Sequence, residues 1–80
     1  MELMVIGRNN EHFILEIDGS QTILQLKKAI ENHYNGKYAG FDILNGSEII
    51  DSSKNFLTLD QCRLKKFIRL IDSYAAGGGI

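Results

Sequence analysis

The segment 22–36 constrains the fold most strongly, because it predicts a single amphipathic helix. Thr22 followed by Gln25 is a capping box, in which each side chain satisfies a backbone N–H group left free at a helix start. Apolar residues then recur at three- and four-residue spacing along one helical face: Ile23, Leu26, Ala29 and Ile30. Asn35-Gly36 is typical of a helix C-terminus, where a residue adopts the left-handed backbone conformation. The apolar face of such a helix needs a second layer of structure to cover it.

Short strands on both sides of the helix can form that layer. They are predicted over 2–6, 13–17, 41–44, 48–50 and 67–71. Gly7-Arg8-Asn9-Asn10 favours a hairpin between the first two strands, because its residues tolerate positive φ angles. Asn45-Gly46 is the dipeptide best suited to a type I′ turn between the next two, with a register open by one residue. A short helical turn over 58–62 precedes the last strand.

Charged residues predict which strand positions face the core. Glu16 requires solvent, so alternate positions of its strand face inward, and the same rule applies to the first strand. The residues predicted to face inward are Leu3, Val5, Phe13, Leu15 and Ile17, and those predicted to face outward are Glu2, Met4, Ile14 and Glu16. In the last strand, Arg69 faces outward and Phe67 and Ile71 face outward with it.

These elements predict an α+β fold in which a mixed sheet of four to five strands covers one amphipathic helix. We expect one domain over 1–72 and a flexible glycine-rich tail over 73–80. A domain of 80 residues buries only about 60% of the surface that its unfolded chain exposes. It therefore has little room for an enclosed active site.

Composition narrows the possible partners. The formal net charge is −1, and the basic residues are dispersed except at Arg63, Lys65 and Lys66, so we expect no nucleic acid partner. No apolar run approaches the roughly 20 residues that span a bilayer, so we expect no membrane partner. The first residues lack the pattern of a secretion signal, and one cysteine cannot form an internal disulfide. A cytoplasmic location is expected.

The sequence predicts no catalytic group and no metal site. Cys62 has no neighbouring base that would activate its thiol, and we expect it to be a small core residue. His12 and His33 are isolated, with no cysteine cluster beside them. The aspartates are scattered through turns and strand ends, where they commonly make local hydrogen bonds.

The last seven residues are small except at the two ends of the segment: Tyr74, Ala75, Ala76, Gly77, Gly78, Gly79 and Ile80. Glycine has no Cβ atom, so this run can pass through a slot too narrow for other residues. Such a tail suits being held by an enzyme. The tail alone is equally compatible with a frayed terminus.

Taken together, the order and spacing of these features resemble ubiquitin and its relatives over essentially the whole chain. The matching features are Leu3 and Val5 in the first strand, Phe13-x-Leu15-Glu16-Ile17, Thr22-Ile23-x-x-Leu26-Lys27-x-x-Ile30, the Asn45-Gly46 hairpin, Thr58-Leu59, the closing strand and the diglycine. The chain departs from the family in having no proline after the helix, a shorter stretch after Leu64 and no arginine in the tail. The resemblance implies a β-grasp fold.

The resemblance also implies a role as a protein modifier that is a substrate rather than an enzyme. A processing protease would cut after Gly79 and remove Ile80, with Gly78 as a second choice, while Ala76 and Gly77 thread through the enzymes. An activating enzyme would then use ATP to adenylate the glycine carboxylate. The acyl group would pass through thioesters on the activating and conjugating enzymes to an amine of a target protein, and a protease would reverse the attachment. No bound cofactor is implied.

Strand parity and the resemblance together predict surface sites. The partner-binding patch is predicted at Met4, Ile43, Phe67, Arg69 and Ile71. The alternative is that Phe67 lies at a strand end and Ile71 packs under the tail, without a contiguous patch. Lysines that could accept further modifiers are Lys27, Lys28, Lys37, Lys54, Lys65 and Lys66, and the alkyl stem of Lys27 is expected to lie against the core.

Two further function classes stay open. A sulfur carrier of the β-grasp group would use the same adenylated diglycine but end as a thiocarboxylate. Such carriers usually end directly at diglycine, so Ile80 favours the modifier. The third class is a non-conjugated β-grasp interaction domain. A divergent modifier without arginines in its tail fits a eukaryotic lineage, and by analogy it also fits bacterial operons that encode ubiquitin-like proteins beside their activating, conjugating and deconjugating enzymes. The bacterial setting would imply a role such as antiviral defence against phage.

Overall fold

The computed structural model of the chain describes residues 1–38 and 40–73. The described residues form five strands, one α-helix and one short 3-10 helix. Their bounds are Glu2–Ile6 (β1), His12–Glu16 (β2), Ile23–His33 (α1), Phe41–Asn45 (β3), Glu48–Ile50 (β4), Ser52–Lys54 (3-10 helix) and Phe67–Asp72 (β5). The predicted order of elements is confirmed.

The strands form one mixed sheet in the order β2-β1-β5-β3-β4. The central strands β1 and β5 are parallel, while the β1–β2, β3–β5 and β3–β4 pairs are antiparallel. The apolar face of α1 packs against one side of this sheet. The fold is α+β with the β-grasp-like arrangement that the sequence predicted. The opposite side of the sheet, which faces away from α1, is called the outer face.

Helix α1 begins and ends where its local signals predict. The Gln25 N–H group donates to Thr22 Oγ1 at 3.2 Å, and the Thr22 N–H group donates to Gln25 Oε1 at 2.8 Å, which completes the capping box. At the other end, Asn35 and Gly36 have φ angles of 54° and 75°. The Gly36 N–H group donates to the Glu31 carbonyl at 2.9 Å, so it satisfies an acceptor that the helix end leaves free.

The core lies between α1 and the inner side of the sheet. The buried apolar residues are Leu3, Val5, Ile17, Ile23, Leu26, Ile30, Tyr38, Phe41, Ile43, Ile50, Leu59, Ile68 and Leu70. Phe13, Leu15 and Leu64 are partly buried and pack against this cluster, whereas Ile14 is exposed. The inward and outward positions predicted for β1 and β2 are therefore confirmed.

The structure fixes the register of the β3–β4 turn, which the sequence left open by one residue. Asn45 is the last residue of β3 and pairs with Glu48, so the central turn residues are Gly46 and Ser47. Gly46 alone of these two has a positive φ angle, 67°, which is the sign pattern of a type II′ turn. The buried Asn45 side chain accepts the Lys65 N–H group at 2.9 Å. Asn45 thus holds the segment before β5 instead of occupying the turn.

A second capping box holds the predicted turn over 58–62. The Thr58 N–H group donates to Gln61 Oε1 at 2.8 Å, and the Gln61 N–H group donates to Thr58 Oγ1 at 3.0 Å. The segment just before it contacts the start of α1, because the Ile23 N–H group donates to the Leu57 carbonyl at 2.9 Å. This connection also buries Leu59 in the core.

Removing a core leucine should destabilise the domain strongly. We expect Leu26→Ala and Leu70→Ala each to lower the free energy of unfolding by about 2–5 kcal/mol, because buried area is lost and a cavity remains. Leu57→Ala is the matched control, because Leu57 is exposed, and it should change stability by about 0.5 kcal/mol or less. Urea unfolding of the three variants measures these values. Equal stability of the core variants and the control would contradict the described packing.

Candidate partner-binding face

The outer face carries an apolar surface formed by two neighbouring rows of side chains. Strand pairing places Ile14, Met4 and Phe67 side by side in one row. It places His12, Ile6, Arg69, Leu44 and Ile49 in the next row. Paired residues share one side of a sheet, so both rows face away from α1. Apolar surface of this kind on a small domain is typical of an interaction site.

Phe67 is the most exposed apolar residue of these rows. Phe67 is 60% exposed. Ile68 and Leu70, the two sequence neighbours of Arg69, face the opposite side of the sheet and are buried in the core. Beside Phe67 lies a shallow groove of about 180 Å³, lined by Ile6, Leu44, Gly46, Phe67, Ile68 and Arg69. The Lys65 side chain lies over Gly46, where a Cβ atom would come within 2.7 Å of Lys65 Cε. The described face therefore offers both an exposed ring and an adjacent depression.

Arg69 supplies the positive charge at the centre of the outer face. It lies between Ile6 on β1 and Leu44 on β3, so apolar residues flank it on both sides. Its Nη1 atom donates to Asn10 Oδ1 at 2.8 Å, which fixes the guanidinium over the sheet. A partner that covers this face must match an apolar surface, the charge of Arg69 and the charge of the exposed Lys65 that lies against Gly46.

The structure changes the membership of the predicted patch at one position. Ile43 is 0% exposed and belongs to the core, so it cannot lie on the outer face. Phe41 begins β3 with its side chain buried, and two-residue alternation then directs Ile43 inward and Leu44 outward. Leu44 takes the place predicted for Ile43. Met4, Phe67, Arg69 and Ile71 lie on the outer face, and Ile71 is half-buried.

The predicted patch left out four residues that the strand pairing places on the outer face: Ile6, Ile14, Leu44 and Ile49. Parity had directed Ile14 outward, and the same parity extends from Met4 to Ile6 within β1. Ile49 follows from its pairing with Leu44. The signal for a larger face was therefore present in the alternation, but the register of the β3–β4 hairpin was needed to use it.

The predicted acceptor lysines differ in their surroundings. Lys27 is buried, and its ammonium group donates to Asn55 Oδ1 at 2.9 Å, so its stem lies against the core as predicted. Lys54 forms an ion pair with Glu48 at 2.9 Å. The remaining lysines are exposed: Lys28, Lys37, Lys65 and Lys66.

The tail positions Ala76, Gly77, Gly78, Gly79 and Ile80 lie outside the described residues. The structure does describe Asp72 and Ser73, which together are called the tail root. Asp72 ends β5 and pairs with Phe41. The Ser73 N–H group donates to the Gly40 carbonyl at 2.9 Å. Ser73 is therefore hydrogen-bonded at the end of a central strand.

The residues considered for catalysis or metal binding lie apart from one another. Cys62 is partly buried against the core, His12 is exposed, and the His33 ring stacks on Phe13 with a centroid distance of 3.6 Å. Within 1–38 and 40–73, no three His, Cys, Asp or Glu side chains come together in a way that could hold a metal ion. In the same ranges, no helix is long and apolar enough to cross a membrane.

Neither a scan against protein-family models nor a search of curated proteins finds a match for this chain. The interpretation of the outer face and the tail therefore depends on their own chemistry.

One pair of substitutions tests which side of β3 belongs to the core. Ile43→Asp should lower the free energy of unfolding by on the order of 4 kcal/mol or more, because it places a charge in the core. Leu44→Asp makes the same chemical change one residue along the same strand but on the outer face. It should cost about 1 kcal/mol or less. Thermal unfolding monitored by circular dichroism compares the two, and a reversed order would refute the assigned parity.

Proposed function

We propose that the chain is a ubiquitin-like protein modifier that is joined through the Gly79 carboxylate to amines of target proteins. The proposal depends on one observation: the strand that contributes to the apolar outer face is also the strand that precedes the glycine run in the sequence. β5 displays Phe67 and Arg69 on the outer face, and it leads within seven residues of Asp72 to the glycine run. An enzyme can therefore bind the face and the tail at the same time.

Chain geometry supports this arrangement. The six residues 74–79 can span at most roughly 20 Å when fully extended. A reactive centre that receives Gly79 must then lie within that distance of Ser73, next to the surface that binds the domain. Because glycine has no side chain, the three glycines can pass through a narrow channel that leads to the reactive centre.

The proposed chemistry needs no catalytic group in this chain. A carboxylate is a poor electrophile because its oxygen is a poor leaving group. The activating enzyme joins the carboxylate to AMP from ATP and releases pyrophosphate, and a cysteine thiolate then displaces AMP to form a thioester. The target amine attacks that thioester, which forms an amide and returns the thiol. The chain is the acyl donor throughout, so ATP is consumed by the enzyme and not bound here.

The proposed partners are the activating enzyme, the conjugating enzyme, a processing or deconjugating protease and the target proteins. We place the reaction in the cytoplasm, because thioester chemistry needs reduced cysteines, and thiols stay reduced there. A sulfur carrier would use the same adenylate but accept sulfur in place of an amine. The two functions therefore differ in the fate of the same carboxylate.

The first test concerns processing and attachment. An N-terminally tagged chain should form covalent adducts in its native cell, and Gly78→Ala with Gly79→Ala should abolish them, because added Cβ atoms block passage of the tail. Thermal unfolding should stay unchanged. Deleting Ile80 is the control, since it supplies the proposed mature end directly and should leave adducts in place. Denaturing immunoblots of the tag measure adducts, and adducts formed by the double variant would exclude this proposal.

The second test concerns the outer face. Phe67→Asp should weaken the step that loads the chain onto its enzymes by about 1–3 kcal/mol of binding free energy, because an apolar contact becomes a charge that must be desolvated. Phe56→Asp is the matched control, since Phe56 is 83% exposed and lies outside the two outer-face rows. Titration of adduct yield against expression level compares the variants. If both variants behave like wild type, the partners bind another surface.

A further inference from the structure

Two arginine side chains connect the loop over 7–11 with β5: one extends from the loop to β5, and the other extends from β5 to the loop. Arg8 in the loop reaches β5, with its Nη2 atom 3.4 Å from Asp72 Oδ2. Arg69 in β5 reaches the loop and donates to Asn10 Oδ1 at 2.8 Å. These contacts join residues that lie about sixty positions apart in the sequence. One of them ends on the tail root.

The loop is itself fixed in place. The Gly7 N–H group donates to the Glu11 carbonyl at 2.8 Å, and the Asn10 N–H group donates back to the Gly7 carbonyl at 3.1 Å. The Glu11 carboxylate accepts the Tyr34 hydroxyl at 2.6 Å, which ties the loop to the end of α1. This hydrogen bond is also the main cause that lowers the pKa of Glu11. Gly7 leaves the space that Glu11 and Tyr34 occupy, since a Cβ atom there would clash with both.

Tyr38 supports the arginine that reaches the tail root. The Arg8 guanidinium lies over the Tyr38 ring, 5.5 Å from its centroid, a geometry that favours a cation–π interaction. Tyr38 is only 8% exposed. Among the described residues its buried hydroxyl has no hydrogen-bond partner, so the ring is held by packing. The Arg8 guanidinium is therefore positioned by two contacts, with the Tyr38 ring and with the Asp72 carboxylate.

We propose that the 7–11 loop holds the tail root in a constant position relative to the outer face through the Arg8–Asp72 ion pair. This inference rests on the proposed function. An enzyme that binds the domain and the glycine run together needs a constant distance and angle between them. Misplacement of a reacting group by about 1 Å costs on the order of a hundredfold in rate. Arg8 and Asp72 are thus positioning residues.

The effect of losing the pair should be modest. The side chains of Arg8 and Asp72 are 62% and 68% exposed, so solvent screens their attraction. A twofold to roughly fivefold rise in hydrogen exchange at the Ser73 amide is the size expected for an exposed ion pair. That amide is the reporter of choice, because its hydrogen bond to Gly40 is the described backbone bond closest to the tail.

Charge exchange tests the inference. Arg8→Asp and Asp72→Arg should each raise Ser73 exchange and lower adduct formation by the tagged chain in its native cell. The double variant, which restores an opposite pair, should recover most of both. Glu48→Lys is the matched control, because it breaks a different side-chain ion pair of the described residues, Lys54–Glu48, at 2.9 Å. It should change neither quantity.

Three outcomes would overturn the inference. Unchanged Ser73 exchange in the single variants would mean that the pair does not hold the tail root. Raised exchange with unchanged adducts would mean that the position of the root is irrelevant to the enzymes. Recovery of exchange without recovery of adducts in the double variant would mean that a partner binds the two charges directly. If the wild-type chain forms no adducts, the proposed function fails, and Ser73 exchange still decides whether the loop positions the root.

Discussion

The contact between α1 and the inner side of the sheet determines the other features of the molecule. Leu3, Val5, Ile43 and Ile68 are buried against the helix. Because side chains alternate along a strand, burying these residues forces their neighbours to the outer face. A shift of any strand by one residue would exchange its two faces and remove the core. The residues that form the outer face are therefore determined by which strand residues are buried in the core.

The alternation does not explain why so much of the outer face is apolar. Nothing in the packing requires a phenylalanine at 67, where a polar side chain would satisfy the same strand geometry. Apolar residues on both sides of Arg69 leave hydrophobic surface in contact with water, which is unfavourable. The outer face, the fixed tail root and the glycine run that comes after it fit one account, in which a partner binds the domain while its active site holds the tail.

Local chemistry predicted most of the fold, and long-range contacts explain what was missed. The capping box at Thr22, the stop at Asn35-Gly36 and the parity set by Glu16 act within a few residues, so sequence alone locates α1, β1 and β2. Leu44 faces outward because Phe41, Ile43 and Asn45 are buried on the other side of β3, and the buried Asn45 is satisfied by the distant Lys65 N–H group. The Arg8–Asp72 contact joins two ends of the chain through the sheet, and no local pattern reveals such a pairing.

The most direct test of the proposed function is a tryptic digest of proteins from the native cell. The last basic residue in the sequence is Arg69. Cleavage there would leave the segment 70–79 attached to the target through Gly79. The account predicts target lysines that carry this branch, each with an uncleaved lysine at the junction. Recovery of only linear peptides that continue from Leu70 through Ile80, or of a C-terminal thiocarboxylate at Gly79 without branched peptides, would contradict it.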